Sequence, residues 1–245
     1  MTIQEIYDKI LKNFRALPGV TDLLDEIVEI HGSRRPEKTL MPEGDVPSQV
    51  NRPEYCTYAK FKGVKGEAYS ETPADFYGTL GELLEYPLAG KGIDARVLAA
   101  INAVMKHLGL LENATWSDEP EARRQYANQI YDEVTEKYGK SNIILVGYDG
   151  YILQRFMEEP LDFWTMDRNP DNVTKDRFDH VIVNSGKPNR DACIEWGKIL
   201  IVTGSTLCNG TIIPYLECGK DVKFYGITFA GASKLLDLPW YEVKA

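Results

Sequence analysis

Ile199-Leu200-Ile201-Val202 runs directly into Thr203-Gly204-Ser205-Thr206-Leu207-Cys208-Asn209-Gly210-Thr211, and Ile212, Ile213 and Leu216 follow. This order predicts a buried strand, a connection rich in hydroxyls and glycine, then a helix. Such a connection sits at the carboxyl end of a strand, where open α/β sheets bind ligands through backbone N–H groups and short side chains. Pro214 has no N–H and is tolerated only in a first helical turn, so the helix is expected to begin near Gly210 or Thr211. Residues 203–209 are then expected to form a loop that can face a ligand. The competing reading is a connection that only turns the chain.

The segments on either side place this stretch in a repeating pattern. Apolar runs at 143–147, 161–165, 180–183, 199–202 and 222–226 alternate with helical patterns at 151–158, 190–196, from 212, and 233–237. Strands and helices alternating at this spacing imply parallel crossovers and a doubly wound, Rossmann-like α/β layer. The first half reads differently. Ile3, Ile6, Ile10, Leu11 and Phe14 mark an amphipathic helix, opened by a Thr2/Glu5 capping box and stopped by Pro18-Gly19. Strands are expected at 25–30, 55–61 and 66–70, and a helix apolar over most of its circumference at 95–108. A linker at 111–120 and a long helix at 121–138 follow, with Ile130, Val134 and Tyr138 on one face. The expected division is therefore an α+β domain over residues 1–118 and a Rossmann-like α/β domain over 119–245.

Composition narrows the function. The 245 residues are 43% hydrophobic and 27% charged, with a net charge of −9. That balance fits an ordinary globular protein and argues against partners such as nucleic acid or an anionic membrane, which attract basic surfaces. No apolar run reaches the length of a membrane span or a signal-peptide core, so a cytoplasmic location is expected. Cys56, Cys193, Cys208 and Cys218 contain no C-x-x-C pair, and His31, His107 and His180 contain no H-E-x-x-H. A preformed structural metal site is not expected, while one assembled from distant residues stays open. Residues 32–53 carry Pro36, Pro42, Pro47 and Pro53 among Arg34, Arg35, Lys38 and Arg52. This stretch reads either as a stiffened lid that meets an anion or as a solvated surface insertion.

Ala99-Ala100-Ile101-Asn102-Ala103-Val104, taken with the T-G-S-T-x-x-N-G-T string at 203–211, resembles the family described as "Putative heavy-metal chelation". The resemblance runs from about Lys60 to the end and is strongest over 95–105 and 143–231. Gly66-Glu67-Ala68-Tyr69-Ser70, Val146-Gly147-Tyr148 and Met166-Asp167-Arg168-Asn169-Pro170 are further matches. It implies an enolase-N-terminal-like domain followed by a Rossmann-like one. It also implies a site between them, beside residues 203–211, that handles a metal or a small metallo-ligand. The long proline-rich insertion departs from the pattern, as does Pro214, where relatives tend to carry an acid.

Several residues follow as candidates. Asn102, on an apolar helical face, reads either as a core amide bonded to backbone or as a ligand contact from the first domain, and the resemblance favours the second. Asp167 lies twenty residues after Gly147, the offset at which dinucleotide-binding sheets place a ribose-binding acid. Residues 147–150 lack the third glycine of that fingerprint, so a turn or capping role competes. Cys208 stands where a helix N-terminus could favour a thiolate suited to a soft metal, and it otherwise reads as a small buried hydrophobe. His31 is the other weak candidate metal ligand. The expected ligand-binding set is Asn102, Gly147, Asp167, Thr203, Gly204, Ser205, Thr206, Asn209, Gly210 and Thr211. The leading expectation is binding of a metal ion or small metallo-ligand, with a transition metal as the implied cofactor. The alternatives are an enzyme acting on a small anionic or nucleotide-like substrate in the same cleft, and a subunit of a larger assembly. A homo-oligomer is compatible with any of them.

Overall fold

The computed structural model describes residues 1–36, 53–88, 90–117, 119–170, 172–173 and 180–243. Its second half is built on β5 (Ile143–Val146), whose four residues are all buried. A continuous run of branched apolar residues suits a strand covered on both faces, which is the situation in a parallel sheet. β5 pairs in parallel with β6 (Phe163–Asp167) on one side and β8 (Ile199–Thr203) on the other. β7 (Ile182–Asn184) and β9 (Asp221–Tyr225) complete the order β7-β6-β5-β8-β9. The chain winds outward from β5 in one direction, then returns and winds outward in the other. The ends of β5 and β8 therefore flank the crevice where the winding reverses. α4 (Pro120–Tyr138) packs against α5 (Gly150–Met157), and α6 (Lys187–Trp196) lies between β7 and β8 in the chain.

The first half holds an antiparallel sheet in the order β3-β2-β1-β4. Its strands are β1 (Ile27–Pro36), β2 (Pro53–Phe61), β3 (Val64–Tyr69) and β4 (Phe76–Thr79). α1 (Ile3–Arg15) opens with the expected capping box, the Thr2 side chain accepting from the Glu5 N–H and Glu5 from the Thr2 N–H. α3 (Ala95–His107) lies across β2 and β3. The alanines of its motif have a packing reason. A Cβ on Gly66 would stand 2.4 Å from both the Ala99 carbonyl oxygen and the Ala103 nitrogen, so helix and strand backbones are nearly touching.

Three local expectations are corrected. The β1–β2 ladder continues to the pair Pro36↔Pro53, so residues 32–36 are strand rather than the start of a loop. The lid expectation for Lys38, Pro42, Pro47 and Arg52 falls on residues 37–52, outside the described residues. β4 and α2 (Leu80–Leu84), the latter with its own Thr79/Glu82 capping box, were not read from the sequence at all. After β8 the chain does not run as open loop. It forms a 3-10 turn at Gly204–Thr206, and the helix α7 starts only at Ile213 and ends at Leu216. Pro214 lies in the first turn, as expected.

The halves are tied together. α8 (Ala230–Leu236) follows the parallel sheet in sequence but packs on α1 and α3. Asn13 donates to the Leu235 carbonyl at 2.6 Å, the Tyr69 N–H to Thr228 Oγ1 at 2.9 Å, and the Ile93 N–H to the Leu207 carbonyl at 3.0 Å. One apolar core runs through both sheets. No helix among the described residues is long and apolar enough to cross a membrane.

Candidate functional site

A cleft of about 520 Å³ opens at the carboxyl ends of β5, β6, β8 and β9. That volume is within the range of small-molecule sites. Gly147, Tyr148 and Asp149 line it after β5, Asp167 and Asn169 at the end of β6, Thr203–Thr206 at the end of β8, and Gly226 and Thr228 after β9. The opposite wall comes from the first half, with Tyr69, Ser70, Thr72 and Lys91.

Backbone geometry fixes the turn after β5. Gly147 has φ +93°, and a Cβ there would stand 2.6 Å from Thr203 Cγ2. Only glycine allows β5 to turn this close to the loop after β8. The Gly147 N–H donates to the Met166 carbonyl at 2.7 Å and its carbonyl accepts from the Tyr225 hydroxyl at 3.0 Å. Asp167, 8% exposed, accepts the Tyr148 N–H at 2.7 Å on one oxygen and the Asn169 N–H at 2.7 Å on the other. It fastens the turns after β5 and β6 to each other, the turn role that competed with ribose binding in the sequence. Burial pushes its carboxyl up from the ordinary range, while those two N–H donors pull it back.

The segment at 203–211 is folded on itself. Thr206 is buried, and its hydroxyl donates to the Thr203 carbonyl at 2.7 Å. The N–H groups of Leu207, Asn209 and Thr211 are bonded to the carbonyls of Gly204, Ser205 and Thr206. Asn209 Oδ1 accepts from the Thr211 N–H at 3.0 Å and the Thr211 hydroxyl at 2.6 Å, which leaves its Nδ2 amide as the group to offer. Thr203 and Ser205 hydroxyls are within 3.4 Å of each other on the wall. Gly210 is not on the cleft wall. Its φ of +72° and the 1.9 Å that a Cβ would leave to the Lys91 carbonyl show that it seats the segment against residues 91–92.

Two further expected residues lie away from the cleft. Asn102, 1% exposed, donates to the carbonyls of Glu67 at 2.9 Å and Ile227 at 3.0 Å and accepts from the Gly231 N–H at 2.7 Å. All three bonds go to backbone, and they pin α3, β3 and the start of α8 together. His31 is on β1, bonded to Glu29 and packed on Tyr58 with ring centroids 5.2 Å apart. Cys208 does line the cleft and keeps some accessible surface, yet the atoms packed around its sulfur push the thiol well above the ordinary range. Those surroundings disfavour the thiolate that a soft metal would need. Among the described residues no group of three or more His, Cys, Asp or Glu is placed to hold a metal ion. Of the carboxylates on the wall, Glu71 is paired with Arg168, and Asp149 and Asp167 accept backbone N–H groups; the hydroxyls, amide, guanidinium and ammonium groups around them do not suit a bare transition metal.

The residue missed from the sequence is Arg123, on the cleft wall and 2% exposed. Its Nε donates to the Ser117 carbonyl at 3.1 Å and its Cζ lies 3.9 Å from the centroid of the Trp116 ring. Nη1 is buried without a partner. Asp149 is close enough for attraction, and its Oδ1 caps α5, accepting from the Tyr151 and Ile152 N–H groups at 3.1 and 3.0 Å. The signal was available. Arg123 is on the same stripe of α4 as Tyr126, Ala127, Ile130 and Val134, and all five are buried.

This half of the cleft has relatives. Residues 131–233 match the family model described as "Putative heavy-metal chelation". The match takes in every strand of the parallel sheet. A protein of unknown function from this family in Desulfitobacterium hafniense is similar in structure, with a TM-score of 0.54 and 15% identity over 96% of this chain and 83% of that one. Another, from Pyrococcus horikoshii, has a TM-score of 0.50 and 16% identity over 94% of this chain and 82% of that one. At such identities the likeness to the family's solved members is one of fold, and it extends across both sheets. No curated protein matches the chain.

Proposed function

We propose that the cleft binds a small polar, anionic ligand, and that any metal handled by this protein arrives held by that ligand's own donors. The observation that carries the reading is the composition of the wall. Hydroxyls of Thr203 and Ser205, the Asn209 amide, Lys91 and Arg123 surround a crevice at the reversal point of the sheet. These groups recognise oxygen-rich anions, and anionic chelators are such molecules. The family description supports a role with metals, and the reading accommodates that role without a cluster of protein ligands. It also divides the chain functionally into 1–118 and 119–245, with one wall of the site from each.

A second reading is an enzyme acting on a small anionic or nucleotide-like substrate. The observation favouring it is that Asp149 and Asp167, both on the wall, have carboxyls raised by burial, as groups used for proton transfer often do.

The experiment is native mass spectrometry with elemental analysis on protein purified anaerobically without a metal-affinity tag. A small organic mass excess, with any metal present only in proportion to it, is expected. Stoichiometric metal with no organic excess would overturn the proposal, and so would protein that carries neither.

A further inference from the structure

The N-terminus of α5, the place where a Rossmann-like sheet commonly receives an anion, is closed by the Asp149 cap. The backbone N–H groups of Leu207, Asn209 and Thr211 are committed within their own turns. Charge recognition must therefore come from side chains. Among the described residues, six charged side chains line the cleft: Glu71, Asp149 and Asp167 against Lys91, Arg123 and Arg168. Arg168 is paired with Glu71. Arg123 has no carboxylate within ion-pair distance among the described residues, is almost wholly buried, and keeps one nitrogen unbonded. A buried guanidinium left in this state is costly, because desolvation is not offset by a full set of hydrogen bonds. Its flat face is already occupied by Trp116 and its Nε by Ser117, so the remaining edge is held in one orientation.

We infer that Arg123 is the anion-holding residue of the cleft and that the group it takes is a carboxylate of the ligand. This rests on the cleft being the ligand site. The class follows from charge. Among the described residues Glu71 is already paired with Arg168, so Arg123 is the buried base that a single negative charge would complete. A dianionic phosphate on Arg123 would set a second charge near the buried Asp149 carboxyl, which already interacts with that guanidinium. Because Nε is committed, one edge of the guanidinium remains for the ligand, which suits a single carboxylate in a fixed orientation.

The test uses acetate and inorganic phosphate as probes, at constant ionic strength balanced with chloride, following tryptophan emission, to which Trp116 reports directly. Wild-type protein is expected to give a saturable response to acetate. Arg123→Lys should weaken it, and Arg123→Met should weaken it roughly tenfold to a hundredfold, the range for losing a charged hydrogen bond. Both variants are checked for native circular dichroism. Should neither fold, wild-type crystals soaked separately in acetate and in phosphate supply the answer, through density for the probe against the Arg123 guanidinium or its absence. A response to phosphate but not acetate would overturn the carboxylate assignment. Unchanged acetate binding in folded Arg123→Met would overturn the role of Arg123. If that variant still carries the organic mass excess of wild-type protein, the cleft reading survives and only the Arg123 inference fails. If wild-type protein carries no excess and answers neither probe, both fail.

Discussion

Asn102→Ala separates a residue that builds the site from one that touches the ligand. The Asn102 amide makes three bonds, to the carbonyls of Glu67 and Ile227 and from the Gly231 N–H, each 2.7–3.0 Å long and fully buried. Gly231 is in the first turn of α8, where N–H groups have no partner inside the helix. Orphaning that donor costs about 1–3 kcal/mol. Two carbonyls also lose a donor, and a small void is left against Ile101 and Met105, which pack on the same glycine. A total of ~3 kcal/mol is expected, equivalent in a chain of this size to a fall in Tm of roughly 6–12 °C. Asn102→Asp should be at least as damaging, because it aims an acceptor at two carbonyl oxygens. Calorimetry gives the Tm, and native mass spectrometry well below it gives the bound mass excess. The excess should persist in the folded variant. A variant that melts within about 2 °C of wild type yet loses the excess would refute the structural role and return Asn102 to the ligand.

Other outcomes follow from single contacts. In Gly92→Ala the new Cβ would stand 2.0 Å from the Cys208 carbonyl oxygen, so the 203–211 segment must shift and the bound excess should be lost; Gly63→Ala, strained by its φ of +81° but touching no neighbour, should lower stability and keep the excess. Native Cys208 should resist a disulfide reagent at pH 7.5 and react once the protein is unfolded, since its packed surroundings disfavour the thiolate; fast native labelling, mapped by peptide mass, would contradict this. Glu159 is lowered to about 2 by Lys140, Tyr131 and Arg155. Its contribution is present above the unfolded value of 4.5 and fades as pH falls toward 2, so the Tm advantage of wild type over Glu159→Gln should shrink across that window. A constant difference from pH 6 to pH 2 would count against the pairing.

The parallel sheet was legible because its central strands β5 and β8 are apolar runs and the strands around them recur at crossover spacing, and the capping box of α1 because it is a local pattern. β4 and α2 were not legible. Phe76-Tyr77-Gly78-Thr79 is short and half-exposed, and its strand form depends on pairing with β1. The 203–211 string was correctly located at a strand end, but its turns depend on the Thr206 hydroxyl reaching back to the Thr203 carbonyl, which composition does not reveal. Asn102 was drawn into the site by its motif. Its partners are 35, 125 and 129 residues away in sequence and appear only in the fold. Arg123 could have been found by extending the buried stripe of α4 one turn toward its start and asking why a charge is on it.

The most direct test of the central claim is a crystal structure of the protein with whatever small molecule it retains on gentle purification, collected with anomalous data for transition metals. Density is expected between residues 203–209 and 147–149, with an anionic group against Arg123 and any anomalous peak coordinated by atoms of the small molecule. Ligand density elsewhere, or a metal bound directly by protein side chains with the cleft empty, would contradict the account.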